Sequence, residues 1–160
     1  MTWLCRAGKN AEYISRFLSE SRIYLPWDGY AIDMSCVQSR NDFRTIVVNE
    51  KNPTSSVTVS NWSGQLFSFC REMRIGEHVL IPHRKSKSYV LSVINGNYEY
   101  IPSCNDCLLH SRKISIVEEQ IPGDIFSQSI RYSLGAYRTL FKVRDEKEVL
   151  SIIEGWRKVR

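Results

Sequence analysis

The sequence lacks the features that mark membrane-spanning and secreted proteins. It contains no run of about 18 apolar residues, so we expect no helix that crosses a membrane. The first eight residues show no charged n-region followed by an apolar h-region, so we expect no secretory signal. These two absences predict a cytoplasmic protein, in which the five cysteines are reduced.

Signatures of catalysis are also missing. The chain has no Walker loop, no HExxH, no GxSxG and no protein-kinase motif set. Ser133-Leu134-Gly135 resembles a strained turn, but no histidine and aspartate partners for a nucleophilic serine are evident. We therefore expect a recognition domain without its own catalysis or cofactor, and any nuclease or NTPase activity on another domain or partner. A nuclease fragment is the enzymatic alternative.

One cysteine spacing suggests a metal site, namely Cys104-x-x-Cys107-x-x-His110. Two thiolates and an imidazole could begin a zinc site. A tetrahedral site needs a fourth ligand, however, and no second CxxC exists; Cys70 or His83 would have to come from elsewhere. We expect a loop with free thiols and no metal.

The sequence does carry an excess of positive charge. It has 22 Lys and Arg against 17 Asp and Glu, a net charge of +5 and a pI near 9.0. Its 160 residues fit one domain that can bury a core without disulfides or metal. A positive field favours a polyanionic partner, because phosphate contacts release condensed counterions.

Hydrophobic periodicity predicts a single α+β domain. Segments with period-two alternation or β-branched enrichment predict strands over 2–6, 23–25, 78–82, 89–94, 98–101, 113–117 and 136–143. Helical spacing predicts helices over 10–19, 39–48, 61–73 and 146–158, with a helical turn over 122–126. Asn95-Gly96 favours a tight hairpin turn. We expect a small barrel of about six strands, mostly antiparallel, flanked by helices. Its core covers 1–144, and the helix over 145–160 could lead to an effector domain.

Four aromatic residues fall at the ends of predicted elements or in turns: Trp27, Trp62, Tyr98 and Tyr100. Flat rings at the rim of a barrel can sandwich a nucleobase. Trp27 follows a proline and precedes Asp28-Gly29, which places it at a rim. Trp62 shares a helical stripe with apolar neighbours, so core packing is an equal alternative for it.

Basic residues lie near predicted strand ends and loops. They are Arg6, Lys9, Arg40, Arg44, Arg84, Lys85, Lys87, Arg112 and Lys113. The segment from Arg84 to Lys87 is a compact basic turn that suits a phosphate backbone, although a solvated loop would look the same. Whether these residues surround the aromatic rim distinguishes the two interpretations.

Five sequence blocks in order resemble the N-terminal domain of Mrr-type restriction endonucleases. They are 3–12 (WLCRAGKNAE), 60–66 with 75–82 (SNWSGQL, IGEHVLIP), 89–100 (YVLSVINGNYEY), 110–112 (HSR) and 126–136 (FSQSIRYSLGA). That domain is similar to the PUA-like superfamily, which includes EVE and YTH modules. The resemblance implies a small PUA-like barrel with an aromatic pocket that admits one base, often a modified one. In Mrr-type and McrB-type systems such a module reads DNA and another domain or an AAA+ partner acts on it.

The resemblance also assigns expected roles to residues. Trp27 matches the aromatic that follows the second strand in YTH-like pockets, and Tyr98 or Tyr100 falls where a second cage aromatic is expected. Ser60, Asn61 and Trp62 resemble the helix start of EVE domains. That helix start usually reads Trp-Asp-Gly-Val, whereas this chain has WSGQ at 62–65 and Trp-Asp-Gly at 27–29.

The function expected from the resemblance is recognition of a modified DNA base that is flipped into the aromatic pocket. Hydrogen bonds that read the base edge would come from Ser60, Asn61 and Ser133. The expected phosphate contacts are Arg6, Lys9, Asn10, Arg84, Lys85, Lys87, Arg112 and Lys113. An RNA-binding module of the same barrel type is one alternative. An interaction domain with buried aromatics and dispersed basic residues is another.

Overall fold

The computed structural model describes residues 1–102 and 107–160, which fold around one curled, mixed sheet. Its strands are β1 (Thr2–Cys5), β2 (Arg22–Tyr24), β3 (His78–His83), β4 (Ser88–Ile94), β5 (Glu99–Tyr100), β6 (His110–Pro122) and β7 (Leu140–Lys142). Their order across the sheet is β2-β6-β4-β3-β1-β7, and β5 pairs with β6. In the described part of the chain, β1 and β3 form the one parallel pair. The sheet curls into a half-barrel, which confirms the predicted α+β class and the mostly antiparallel, helix-flanked barrel.

Five α-helices flank the half-barrel in the described ranges. They are α1 (Ile14–Glu20), α2 (Arg40–Lys51), α3 (Ser56–Phe67), α4 (Gln128–Leu134) and α5 (Glu146–Val159). The helix predicted over 39–48 is α2, and Ser39 caps it, because its hydroxyl accepts a hydrogen bond from the Asp42 amide. The start predicted for α3 is wrong, because the helix begins at Ser56, with Ser55 as its cap, and not at residue 61. The helix also ends in a π-helical turn over Ser68–Glu72.

Side chains that alternate along the strands fill a core on each face of the sheet. In β1, Trp3 packs into the larger core and its neighbour Leu4 into the smaller one. The larger core includes side chains of α1, α2 and α3, and the smaller core includes side chains of α4 and α5. Both faces of the sheet therefore carry a hydrophobic core against which helices pack.

The strand β6 is much longer than the predicted segment over 113–117. It runs for 13 residues and ends at Pro122, where a helical turn was predicted to begin. The pairing of β4 with β6 is irregular on either side of Leu91, and this breaks the period-two pattern on which the prediction relied. The helix α4 was not predicted, since its seven residues are too few for a clear helical period. The final strand, predicted over 136–143, is shorter in the structure, where it is β7.

The hairpin predicted at Asn95-Gly96 is wrong. The strand β5 pairs with β6 and not with β4, so the chain leaves the sheet after β4 instead of turning back along it. The Asn95 amide donates to the carbonyl of Lys113 (2.9 Å). A Cβ atom at Gly96 would lie 2.9 Å from Cβ of Lys113, so glycine is required there by the close approach of β6.

We predict that Leu80→Ala destabilises the fold strongly. Leu80 is fully buried in the smaller core and pairs in register with Leu4 and Leu91. Loss of its side chain should lower the free energy of unfolding by about 2–5 kcal/mol, as measured by urea denaturation. The exposed Val117 of β6 is the control, since Val117→Ala should change that free energy by no more than about 0.5 kcal/mol. Equal effects of the two substitutions would contradict the packing.

Candidate functional site

A cleft of about 1070 Å³ lies at one edge of the sheet, where strand ends converge. The carboxyl ends of β1 and β3 meet there because these strands are parallel. The antiparallel pairing of β4 brings its first residues and the last residues of β6 to the same edge. The helix α4 and the loop over residues 135–139 complete the lining. We call this feature the basic cleft.

The basic cleft gathers positive charge from several segments. Its cationic lining residues are Arg6, Lys9, Arg84, Lys87, Arg131 and Arg138. Asp124 is the acidic side chain that lines it among the described residues. None of the six cations forms an ion pair with a carboxylate within residues 1–102 and 107–160. Like charges that share one concave surface produce a field that attracts anions.

Arg6 fixes one wall of the basic cleft. Its Nε donates to the carbonyl of Arg138 (3.0 Å), and its Nη2 donates to the carbonyls of Leu134 (3.2 Å) and Ala136 (2.9 Å). Its backbone amide donates to the carbonyl of Thr139 (2.8 Å). Partial burial lowers the pKa of Arg6. The predicted phosphate ligand is therefore mainly a clamp that holds the 135–139 loop against β1.

The predicted basic turn forms the opposite wall. Arg84 Nη1 donates to the carbonyl of Lys9 (3.0 Å) and to Oδ1 of Asn10 (3.1 Å), which ties the turn to the segment after β1. Lys87 adopts a φ of 52°, and its carbonyl accepts a hydrogen bond from the Gly123 amide (2.9 Å). Lys85 is exposed but does not line the basic cleft. Asn10 likewise supports Arg84 without lining the cleft.

Two tyrosines that were not predicted as site residues lie in the basic cleft. Tyr137, in the 135–139 loop, is 91% exposed. Tyr89 is half-buried and packs edge-on against Phe126, with ring centroids 5.8 Å apart. Burial raises the pKa of Tyr89, and the nearby charges of Arg6 and Arg131 oppose that shift. An aromatic residue next to an arginine in a loop, as in Tyr137-Arg138, was the signal available in the sequence.

The predicted aromatic cage is not assembled at this cleft. Tyr98 and Tyr100 pack instead against the buried imidazole of His110, with ring centroids 5.7 Å and 5.5 Å away. The Tyr98 hydroxyl accepts a hydrogen bond from the Met34 amide (3.2 Å) and donates to Nδ1 of His110 (2.6 Å). His110 Nε2 then donates to the Tyr30 carbonyl (2.8 Å). Both tyrosine rings therefore contact His110 of the protein itself, whereas we expected them to contact a nucleobase.

The two predicted tryptophans also pack against the larger core. Trp27 is half-buried, its indole N–H donates to Oγ1 of Thr139 (3.1 Å), and its ring lies 6.0 Å from that of Tyr30. Trp62 is half-buried against the same core. Because Thr139 lines the basic cleft, Trp27 supports the cleft wall from the side of the core.

The polar residues predicted to read the base edge do not line the basic cleft either. Ser60 accepts a hydrogen bond from Arg44 Nη1 (2.7 Å), and Asn61 accepts one from Gln65 Nε2 (3.0 Å). Ser133 donates to the carbonyl of Ile130 (3.1 Å) within α4. All three side chains make hydrogen bonds to other groups of the protein.

Two predicted phosphate ligands lie at the start of β6, away from the basic cleft. Arg112 is only 2% exposed and donates to the carbonyls of Gly96, Phe69 and Met73, each at 2.9 Å. Lys113 is exposed and lies 4.0 Å from a carboxylate oxygen of Glu99. Neither residue lines the basic cleft, and the chain folds over the side chain of Arg112.

The cysteine-histidine spacing gives no ligand set in the part of the chain that the structure describes. Cys104 lies outside the described residues. Cys107 Sγ contacts the hydroxyl of Tyr13 at 3.1 Å, and both ring nitrogens of His110 are hydrogen-bonded. Within residues 1–102 and 107–160, no group of three or more His, Cys, Asp or Glu side chains could hold a metal ion.

The fold and the cleft together define a small α+β half-barrel domain with an anion-attracting surface at one edge of its sheet. The family described as "Domain of unknown function (DUF8426)" matches residues 3–143, and the chain belongs to that family. No curated protein and no solved structure matches the chain. Among the described residues, no helix combines the length and the apolar character needed to cross a membrane.

We predict that stability falls as the pH drops below about 6.5, because His110 is held neutral. Burial lowers its pKa below the ordinary value of 6.5, so the unfolded chain takes up the proton first. The contribution of the neutral imidazole to stability is fully present above pH 6.5 and is lost as the pH falls through the folded-state pKa of His110. The unfolding midpoint between pH 8 and pH 5, together with an NMR titration of the imidazole, would measure this. A His110 pKa at or above 6.5 would contradict it.

Proposed function

We propose that this chain is a nucleic-acid-binding module whose basic cleft takes a single strand or a flipped nucleotide. The observation that carries the proposal is the set of six cationic side chains that line one cleft without a carboxylate partner in the described residues. They come from the segment after β1, the β3–β4 turn, α4 and the 135–139 loop, so the fold itself concentrates them. A phosphate backbone is the extended anion that matches such a surface.

The tyrosines of the basic cleft supply the contact to a base. Tyr137 presents an almost fully exposed ring beside Arg138, and Tyr89 lies deeper in the lining. A base can stack on such a ring only after it leaves the duplex stack, so the ligand is a single strand or an extruded nucleotide. Apolar lining residues of the 135–139 loop and its surroundings, including Ala136, Leu134 and Pro82, could contact a methyl group on that base.

The finer proposal is that the module reads a modified DNA base in the cytoplasm, as the specificity domain of a restriction system. Its support is the resemblance to the reader domain of Mrr-type endonucleases, combined with rings and cations in one cleft. The chemistry on the DNA then belongs to a nuclease or AAA+ partner or domain. In this proposal Tyr137 and Tyr89 contact the base, in place of the four aromatic residues that the sequence led us to expect.

Removal of single cations should weaken binding and reduce its dependence on salt. Lys9 and Arg131 suit this test, because neither side chain makes a hydrogen bond or ion pair within the described part of the chain. For Lys9→Ala and Arg131→Ala we expect weaker binding of a labelled single strand. The slope of log K against log salt should fall by about 1 for each. Fluorescence polarisation over a salt series measures both quantities.

The controls for that series are cations outside the basic cleft. Lys147→Ala, on the exposed surface of α5, should leave the affinity and the slope unchanged. Lys85→Ala is a second control, because Lys85 lies in the same turn as Arg84 but does not line the basic cleft. Binding by the parent protein that does not respond to salt would overturn the proposal.

The ring of Tyr137 should matter more than its hydroxyl. Tyr137→Ala should cost about 1–3 kcal/mol of binding free energy through loss of one stacked base, whereas Tyr137→Phe should retain the affinity. Tyr132 is the matched control, because it is 87% exposed and does not line the basic cleft. Tyr132→Ala should therefore bind as the parent does.

The same variants identify the type of nucleic acid that the basic cleft binds. Plain, methylated and hydroxymethylated DNA strands and a matched RNA strand are compared by competition. We expect a preference for a modified DNA base that is present in the parent and absent in Tyr137→Ala. Equal preference in both proteins would remove Tyr137 from base recognition, and tighter binding of the RNA would favour the RNA-binding alternative.

A further inference from the structure

A second cavity, of about 520 Å³, lies next to the start of β6, and three arginines line it. They are Arg71, Arg74 and Arg112. We call it the arginine cavity. It shares no lining residue with the basic cleft. The basic cleft lies at the other end of β6, roughly 30 Å of extended strand away.

Arg112 brings a buried positive charge to the arginine cavity. Its side chain is 2% exposed, and its three hydrogen bonds use Nε and Nη1, all to backbone carbonyls. Its Nη2 makes no hydrogen bond, and the side chain makes no ion pair, within the described ranges. Backbone carbonyls solvate a guanidinium but do not neutralise it, so a buried cation of this kind favours an anionic ligand.

Arg71 brings a second positive charge to the arginine cavity. Its Nη2 donates to the carbonyls of Met34 and Ser35, which fixes the plane of the guanidinium. Its Nε is buried and has no hydrogen-bond partner. Arg71 forms no ion pair with a carboxylate of the described chain, so its charge adds to that of Arg112 in the lining of the arginine cavity.

The carboxylates near the arginine cavity are already engaged. Glu77 accepts hydrogen bonds from the Trp3 indole and the Arg74 amide, and it pairs with the N-terminus. Asp33 accepts from the amide and the hydroxyl of Ser35. The guanidinium of Arg74 is exposed, and no carboxylate in the described chain pairs with it.

We propose that the arginine cavity binds a phosphate monoester, as carried by a nucleotide or by the 5′ end of a nucleic-acid strand. Guanidinium groups present paired donors that match phosphate oxygens, and a terminal phosphate offers three oxygens and close to two negative charges to the three arginines. The volume of the cavity leaves room for the group to which the phosphate is esterified. The basic cleft differs, since its cations are spread along an open surface that suits a polymer backbone.

The test uses the full chain with inorganic phosphate, a nucleoside 5′-monophosphate, and one oligonucleotide with and without a 5′-phosphate. Calorimetry measures affinity, and the thermal unfolding midpoint should rise with the concentration of a ligand that binds the folded state. We expect Arg74→Gln and Arg71→Gln each to weaken binding of the phosphate monoester about tenfold or more. Arg144→Gln, at an exposed arginine outside both sites, should have no effect.

The outcomes separate the two sources of phosphate and the two sites. Tighter binding of the 5′-phosphorylated strand, lost in Arg74→Gln, assigns the end of a strand; binding of the monophosphate alone assigns a free nucleotide. Lys9→Ala should leave the affinity for the monophosphate unchanged. A failure of the proposal for the basic cleft can therefore be distinguished from a failure of the proposal for the arginine cavity. Absence of binding by every phosphate, or binding that Arg74→Gln leaves intact, overturns the proposal. Arg74 is exposed, so this variant should fold even if Arg71→Gln does not.

Discussion

The clamp that Arg6 forms between the first strand and the 135–139 loop is the interaction on which the basic cleft depends. Three carbonyls of the segment from Leu134 to Arg138 accept hydrogen bonds from this one guanidinium. Such a segment has no ladder of its own, since β7 begins only at Leu140. Without the clamp, the loop that carries Tyr137 would lose conformational entropy whenever a ligand binds, and this loss would weaken binding.

A second constraint is the separation of charge over the molecule. Several carboxylates pair with cations on the outer surface, as Glu118 does with Arg157 and Arg160. The cations that line the basic cleft and the arginine cavity form no such ion pair among the described residues. A net charge of +5 does not require this arrangement, because an even distribution would give the same total. The concentration of unpaired cations in two concave surfaces is what connects the charge to binding.

The sequence predicted the architecture, and four of the eight residues expected to contact phosphate line the basic cleft, for one physical reason. Hydrophobic period locates strands, and residues that follow strand ends gather at an edge of the sheet; Arg6, Lys9, Arg84 and Lys87 do so. The aromatic site could not be found in the same way. Trp27 was expected at a rim because of its turn, but its indole is satisfied by Thr139, 112 residues away. Local pattern contains no information on such a contact.

The position of Trp27 also changes how its part in recognition must be understood. Its ring does not line the basic cleft, so it cannot stack on a base there, yet it holds Thr139 in the cleft wall. Loss of the indole would therefore act through the 135–139 loop, because Thr139 would lose a hydrogen bond that ties it to the side of the core. A weakened interaction with nucleic acid in such a variant would report the order of the loop, and not a base contact. Direct contact has to be assigned from the exposed ring of Tyr137, whose removal leaves the core intact.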